Sequence, residues 1–269
     1  MDSGLYATVN GALRTEMRMD VLANNLANVN TTGFKEDNIT FDSYLTSPGI
    51  EQFPLPTDSF MGLRAPGDIS FPFTNPASNA YRMTYPRADG THVNLEQGAM
   101  QQTNNPLHVA LEGKGFFVLD TPDGRRYTRD GSFRVNPVGE LTSKDGFPVL
   151  GAGNAPLVVG DAGPIHIAED GTITGSQGNI GRLQRVDLPP ESLEKVGLNL
   201  YSAPQGAEIA MENSSEGIHQ GFLEGSNANM IRSMTNMIDA NRAMETYQKM
   251  IQALDSMDNQ AANQIGSLK

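Results

Sequence analysis

The chain contains no cysteine in its 269 residues, which excludes disulfides, thiolate zinc sites and a cysteine nucleophile. It has no apolar run of the roughly eighteen residues that a membrane-spanning helix needs, so no direct insertion into a membrane is expected. It is also poor in clustered positive charge. The net charge is −12, and the adjacent pair Arg125 and Arg126 sits in a turn-rich stretch that reads as a solvated hairpin. A nucleic-acid partner is excluded on that ground, because phosphate binding needs grouped Lys and Arg. The start, Met1-Asp2-Ser3-Gly4, lacks the basic region and apolar core of a Sec signal peptide. That predicts a protein that stays inside, unless a dedicated export machine reads another signal.

Catalytic and metal-binding patterns are lacking as well. His92, His108, His166 and His219 share no ligand spacing and fall in different segments. Glu169 and Asp170 are adjacent on a turn, where carboxylates are ordinarily solvated and do not form the paired acids of a glycosidase. Gly113-Lys114-Gly115 precedes a strand and does not open a helix, so it lacks the setting of a phosphate cradle. There is no Gly-x-Ser-x-Gly elbow. The Asp-Gly pairs are spaced unlike a calcium loop. The expectation is a non-enzyme with no catalytic, cofactor-binding or metal-binding residues.

What is present is a division into three zones. No Gly or Pro occurs from Ala12 to Thr32, nor from Ser226 to Ile265. Between these zones lie most of the 28 Gly and 16 Pro. The chain therefore reads as helix, long β-and-loop middle, helix. In the C-terminal zone Met230, Ser233, Met237, Ala240, Met244, Tyr247, Ile251, Leu254, Asp258, Ala261 and Ile265 step by threes and fours, which is a heptad seam. Ser226 is the expected N-cap, and the pattern stops at Gly266. In the N-terminal zone the expected stripe is Leu5, Val9, Ala12, Glu16, Met19, Ala23 and Leu26, on a helix from about Leu5 to Ala27 that Asn28, Asn30 and Gly33 end. Both ends are expected to lack order until assembly, since the N-terminal stripe carries few strong hydrophobes.

The middle is punctuated by Asp89-Gly90, Asp123-Gly124, Asp130-Gly131, Asp145-Gly146 and Asp170-Gly171, each expected to turn a hairpin. Phe116-Phe117-Val118-Leu119 reads as a buried strand. Arg126 to Arg129 and Ser132 to Val135 read as strands with one face on a core, and Phe147 to Leu150 as a short strand. The fold class is α+β: long N- and C-terminal helices packed as a coiled-coil-like module, with an inserted, mainly antiparallel β domain.

Three stretches carry a family resemblance. Asp20 to Lys35, reading DVLANNLANVNTTGFK, closely resembles the N-terminal signature of flagellar basal-body rod and hook proteins. Gln97-Gly98, Thr103 to Leu107, Gly115 to Val118, Tyr127 to Phe133 and Gly146 to Gly151 are similar to the central region of that family. Leu223-Glu224-Gly225-Ser226-Asn227 looks like the lead into its C-terminal helix. The opening Met1 to Tyr6 looks more like proximal-rod than distal-rod members.

The resemblance implies a structural subunit of the basal-body rod that polymerises through its terminal helices and supports motility. It implies 1–34 and 223–269 as an axial core module, 35–86 as a connecting segment and 87–222 as an outer β domain. Implied partners are other copies of the chain, other rod and hook axial proteins, and the flagellar export apparatus, with localisation in the basal body. The residues expected at assembly contacts are Leu22, Asn24, Asn25, Leu26, Asn28, Thr32, Gly33, Phe34, Met237, Met244, Tyr247, Ile251 and Leu254. Asn24, Asn25 and Asn28 either cap the helix end locally or bond across subunits. The alternatives are a distal-rod or hook-type subunit and, in another class, an exported β-domain binding module.

Overall fold

A computed structural model describes residues 2–46, 83–160, 163–176, 178–197, 199–204, 206, 209–210 and 217–266. The Pro- and Phe-rich stretch expected to connect the domains falls mostly at 47–82, outside the described residues. The chain divides into two compact units, Met1–Ile39 with Thr91–Lys269, and Thr40–Gly90. In the second unit the described residues are almost all strand, from β1 (Asp37–Thr46) and β2 (Met83–Val93), which pair as a two-stranded sheet.

The first unit opens with helix α1 (Asp2–Ala27) and closes with helix α2 (Met230–Gly266). Between them run β3 (Met100–Gln102), β4 (Val109–Leu111), β5 (Phe116–Thr121), β6 (Gly124–Thr128), β7 (Arg134–Val135), β8 (Leu141–Thr142), β9 (His166–Ile167), β10 (Thr172–Gly175) and β11 (Gly178–Arg182). They continue as β12 (Arg185–Asp187), β13 (Glu194–Gly197), β14 (Leu200–Ser202), β15 (Ile209–Ala210), β16 (Ile218–Gln220) and β17 (Phe222–Glu224). Among the described residues the strands of this unit pair antiparallel, and the largest sheet has the order β13-β14-β6-β5-β12-β15. The α+β class is therefore observed.

β5 explains the organisation of the core. Its side chains alternate between two apolar clusters, one on each face of the sheet. Phe117 and Leu119 join Leu111, Phe133, Leu141, Val149, Ile173 and others. Phe116 and Val118 join Tyr127, Leu150, Val186, Leu188 and Tyr201. A strand covered on both faces reads as a continuous apolar run, which is why Phe116 to Leu119 carries no polar residue. Edge-on aromatic pairs sit on either side: Phe116–Tyr201 with centroids 5.4 Å apart and Phe117–Phe133 at 5.0 Å.

Several expectations need correction. Tyr127, Thr128 and Arg129 are all buried, so this strand does not alternate between core and water. β6 lies inside the sheet between β14 and β5, and its last two residues, Tyr127 and Thr128, are buried on opposite faces while Gly124 and Arg125 stay exposed. Asp123-Gly124, Asp145-Gly146 and Asp170-Gly171 do lie at turns. Asp89-Gly90 instead lies within β2. Asp130-Gly131 makes no hairpin, because the Asp130 carboxylate is taken up by Thr32 and Ser132 and Gly131 lies against the Val109 carbonyl.

The helices also differ in detail. On α2 the buried or half-buried residues include Ser233, Met237, Ala240, Met244, Tyr247, Ile251 and Leu254, positions of the heptad reading, with Asn236 and Ala243 half-buried beside them. Met230 and Asp258 are exposed. The N-cap is Asn229, whose Oδ1 accepts from the Arg232 amide at 3.0 Å, and not Ser226, whose Oγ serves Ala228 instead. On α1 the stripe of least exposure is Thr8, Gly11, Ala12, Thr15, Met19, Leu22, Asn25 and Leu26. Leu5, Val9, Glu16 and Ala23 are exposed. Apolar character misplaced this stripe because helix packing selected small and polar residues: a Cβ on Gly11 would lie 2.5 Å from the Tyr247 ring. Tyr247 lies beside Gly11 while the start of α2 lies by the end of α1, so the helices run antiparallel.

Candidate assembly joint

The chain leaves α1 through a tight cap. The Asn28 amide nitrogen donates to the Asn24 carbonyl at 3.2 Å, and its side chain donates to the same oxygen at 2.9 Å. The Asn28 side-chain oxygen accepts from the Thr31 hydroxyl at 3.1 Å. Asn25, almost wholly buried, reaches forward instead. Its Nδ2 donates to the Asp37 carbonyl at 2.8 Å and its Oδ1 accepts from the Asp37 amide at 3.0 Å, so one side chain clamps the first residue of β1. Gly33 has φ +68, and its amide donates to the Glu224 carbonyl at 2.8 Å. A Cβ there would run into the backbone of Arg129 and Asp130, so both conformation and space restrict this position to glycine. Thr32 binds the Asp130 carboxylate at 2.9 Å through its hydroxyl.

Beyond Gly33 the chain inserts a lysine into the interior. Lys35 has no exposed side-chain surface, and its Nζ donates to Glu224 Oε1 at 2.6 Å and to the Glu96 carbonyl at 2.7 Å. The other Glu224 oxygen accepts from Arg129 Nη1 at 3.2 Å, and the Gly98 amide donates to Oε1 at 3.0 Å. Arg129 Nη2 donates to the Gly113 carbonyl at 2.6 Å, and its guanidinium lies over the Phe116 ring. Burial holds the Lys35 amine below its ordinary range; the Glu224 carboxylate opposes that shift and the neighbouring Arg129 adds to it. Two cations share one buried carboxylate, which is stable only because backbone carbonyls and an amide complete the cage.

A second layer surrounds this cluster. Glu36 bonds Arg232 of α2 at 2.8 Å, and its amide donates to Asn227 Oδ1 at 2.7 Å. Asn227 Nδ2 in turn donates to the Asn94 and Glu96 carbonyls. Lys195 bonds Asp37 at 2.8 Å and the Lys35 carbonyl at 2.6 Å, and lies over the Phe34 ring at 4.3 Å. Beside it opens a cleft of about 540 Å³, lined by Asn24, Asn28, Phe34, Lys144, Lys195 and Asn199 among others.

The site residues named from sequence thus separate into two groups. Asn25, Asn28, Thr32, Gly33 and Phe34 meet inside one chain, at the joint of α1, the β domain and the start of α2, while Leu22 is buried and Leu26 half-buried on the last turns of α1. Met237, Met244, Tyr247, Ile251 and Leu254 are half-buried along α2, away from that joint. Asn24 keeps an exposed side chain. Sequence reasoning missed Lys35, Glu36, Arg129, Asp130, Lys195, Glu224 and Asn227. A signal existed for most of them: Lys35, Arg129-Asp130 and Glu224-to-Asn227 sit inside the three stretches that carry the family resemblance. What spacing could not reveal is that these stretches converge.

Comparison with known proteins matches the same stretches. Residues 5–35 match the flagella basal body rod protein family, 110–175 the flagellar hook protein FlgE/F/G D1 domain, and 219–265 the flagellar basal body rod FlgEFG protein C-terminal family. The chain is 30% identical to the flagellar basal-body rod protein FlgF of Caulobacter vibrioides over 100% of both chains. It is 28% identical to the protein of the same name from Mesorhizobium japonicum over 99% of both. It is 33% identical to the flagellar basal-body rod protein FlgG of Borreliella burgdorferi over 96% of each chain. With the joint built from the segments that these families share, and with relatives matched end to end, the chain belongs to the flagellar basal-body rod proteins of the FlgF/FlgG type.

Proposed function

We propose that this chain is a structural subunit of the basal-body rod, an axial drive shaft that polymerises through its terminal helices and serves motility. The observation that carries this reading is the joint. A buried ionic cage fixes both terminal helices to one β domain, as a part that bears load between a helical core and an outer domain requires. In this reading 1–34 and 223–269 form a coiled-coil-like axial module, 35–86 a connecting segment and 87–222 the outer domain. Met237, Met244, Tyr247, Ile251 and Leu254 retain exposed area after α1 has packed on them, which leaves apolar surface for neighbouring subunits. The partners are further copies and other rod and hook axial proteins, reached through the flagellar export apparatus. No chemistry is assigned to the chain.

Within the rod we assign it to the proximal, FlgF-type position. Matches to FlgF relatives run over 99–100% of this chain, against 96% for the FlgG relatives, which supports that choice although FlgG identities reach 33%. The test is complementation of two strains, one lacking FlgF and one lacking FlgG. Restored swimming and restored basal bodies by electron microscopy in the first strain alone support the assignment. Rescue of the second alone reverses it, and rescue of neither with the chain absent from basal bodies defeats the rod reading. A chain truncated before Met237 should fail in the same assay.

A further inference from the structure

The two apolar clusters of the β domain include no residue of α1, of α2 or of the crossing segment 28–37. That core is complete without either helix. The crossing segment lies over the β domain as a strap, and Phe34 is the one apolar side chain it buries. Its other fastenings are hydrogen bonds and ion pairs. Besides those of Thr32, Gly33 and Lys35, Asn199 Nδ2 donates to the Thr32 carbonyl at 3.0 Å, and the Asn94 amide donates to the Glu36 carbonyl at 2.8 Å. Among its described side chains α1 buries only Thr8, Ala12, Leu22 and Asn25, so apolar burial adds little to its hold.

The ionic cage makes these fastenings unequal. Glu224 keeps partners when the strap is away, because Arg129 Nη1 at 3.2 Å and the Gly98 amide at 3.0 Å both belong to the β domain. β17 is also held there by its pairing with β3, and the Gly225 amide donates to the Ala99 carbonyl at 2.8 Å. Lys35 has no such reserve. Among the described residues its carboxylate partner is Glu224, 189 positions further along the chain. Without Glu224 the Lys35 ammonium would be buried facing the Glu96 carbonyl, with no counterion. A buried charge in that state is strongly unfavourable. The Gly33 amide needs the Glu224 carbonyl as well, and the Glu36 amide needs Asn227 Oδ1.

We propose that the cage is a one-way latch: the strap and α1, first in the chain, close last, onto a platform that residues 217–227 must complete. The C-terminal strands dock without the strap, but the strap does not dock without them. A chain whose C-terminal end is not yet in place therefore keeps α1 open. The latch acts within one chain and does not depend on what that chain assembles with.

Hydrogen exchange of the full chain tests this, first without any substitution. In urea below the unfolding transition, the amides of Gly33, Glu36 and Asp37 should share one opening. It should come at lower free energy than the opening of Ile218 and Gly221, whose amides bond the Glu169 and His108 carbonyls. A single opening for both groups would overturn the latch. Glu224→Gln should speed exchange at the strap amides on the order of a hundredfold, with Ile218 and Gly221 unchanged. Equal loss at both groups would mean that Glu224 holds the sheet, and would overturn the proposal. Adding Lys35→Met to Glu224→Gln should restore most of the strap's protection, because the stranded ammonium is gone. No recovery would remove Lys35 as the cause and the latch with it. Lys35→Met alone should leave the Gly225 amide as protected as in the wild type. Faster exchange there would make the dependence mutual and overturn the one-way order.

Discussion

Glu224 holds two cations and a backbone amide on one carboxylate, and nothing else in the cage can replace it. Glu224→Gln leaves Lys35 buried without its carboxylate and removes the Glu224–Arg129 ion pair. Breaking a buried pair in this way costs about 3–5 kcal/mol. Urea unfolding of the whole chain should show that loss, while Lys35→Met, which leaves Glu224 paired with Arg129, should lose less. Tyr201 gives a prediction in pH. Burial first, and then the Asp37 carboxylate, push its phenol well above the ordinary value of 10.0. A raised folded-state pKa contributes stability that is complete below the unfolded value and fades as pH climbs above it towards the folded one. The stability gap between the wild type and Tyr201→Phe should therefore be flat up to about pH 10. Above that it should move in favour of the variant, as followed by denaturation at a series of pH values.

The helical hairpin is held by small residues and modest burial. Gly11 sits where any side chain would strike Tyr247, so Gly11→Ala must part the helices or displace that ring. The gain of about 1 kcal/mol in helix propensity is outweighed by that clash. Thermal melting of the chain followed at 222 nm, a wavelength on the order of 220 nm that reports helix, should show an earlier helical transition with the β transition unmoved. Ser233 offers the opposite sign. It is buried in the seam, and its hydroxyl has no hydrogen-bond partner among the described residues. Ser233→Ala should raise the same helical transition by up to about 1 kcal/mol, because it removes an unsatisfied polar group without opening a large cavity.

Across the molecule, burial is distributed unevenly. β5 is sealed on both faces, whereas α2 from Asp255 to Gln260 is exposed at every position. Regions with few buried contacts open at low free energy, so amide exchange should rank the chain accordingly. Phe117 and Val118 should exchange only with global unfolding, and α2 beyond Leu254 should exchange fastest of the helical amides in the monomer. On incorporation into a rod the α2 amides should gain protection, and the absence of that gain would argue against helical assembly contacts. The joint should lie between these extremes, since Asn25, Lys35 and Glu224 tie helix ends to the protected sheet.

The sequence by itself determined the two breaker-free helices, the heptad stripe on α2, the buried run at β5 and the family signature. Each of these depends on local period, local composition or a contiguous motif. Tertiary structure decided the rest. The α1 stripe departs from the apolar pattern because close packing against Tyr247 favours Gly11, and Ala12 and Thr15 lie on the same stripe, which hydropathy does not mark. Asp130-Gly131 looked like a turn, but a contact with Thr32, 98 positions away in sequence, set its conformation. The ionic cage was invisible because Lys35, Arg129 and Glu224 are separated by most of the chain, and an isolated Lys or Glu reads as a surface residue. Burial makes the difference: a charge buried with its partner gives no periodic signal, and only the folded chain brings the partners together.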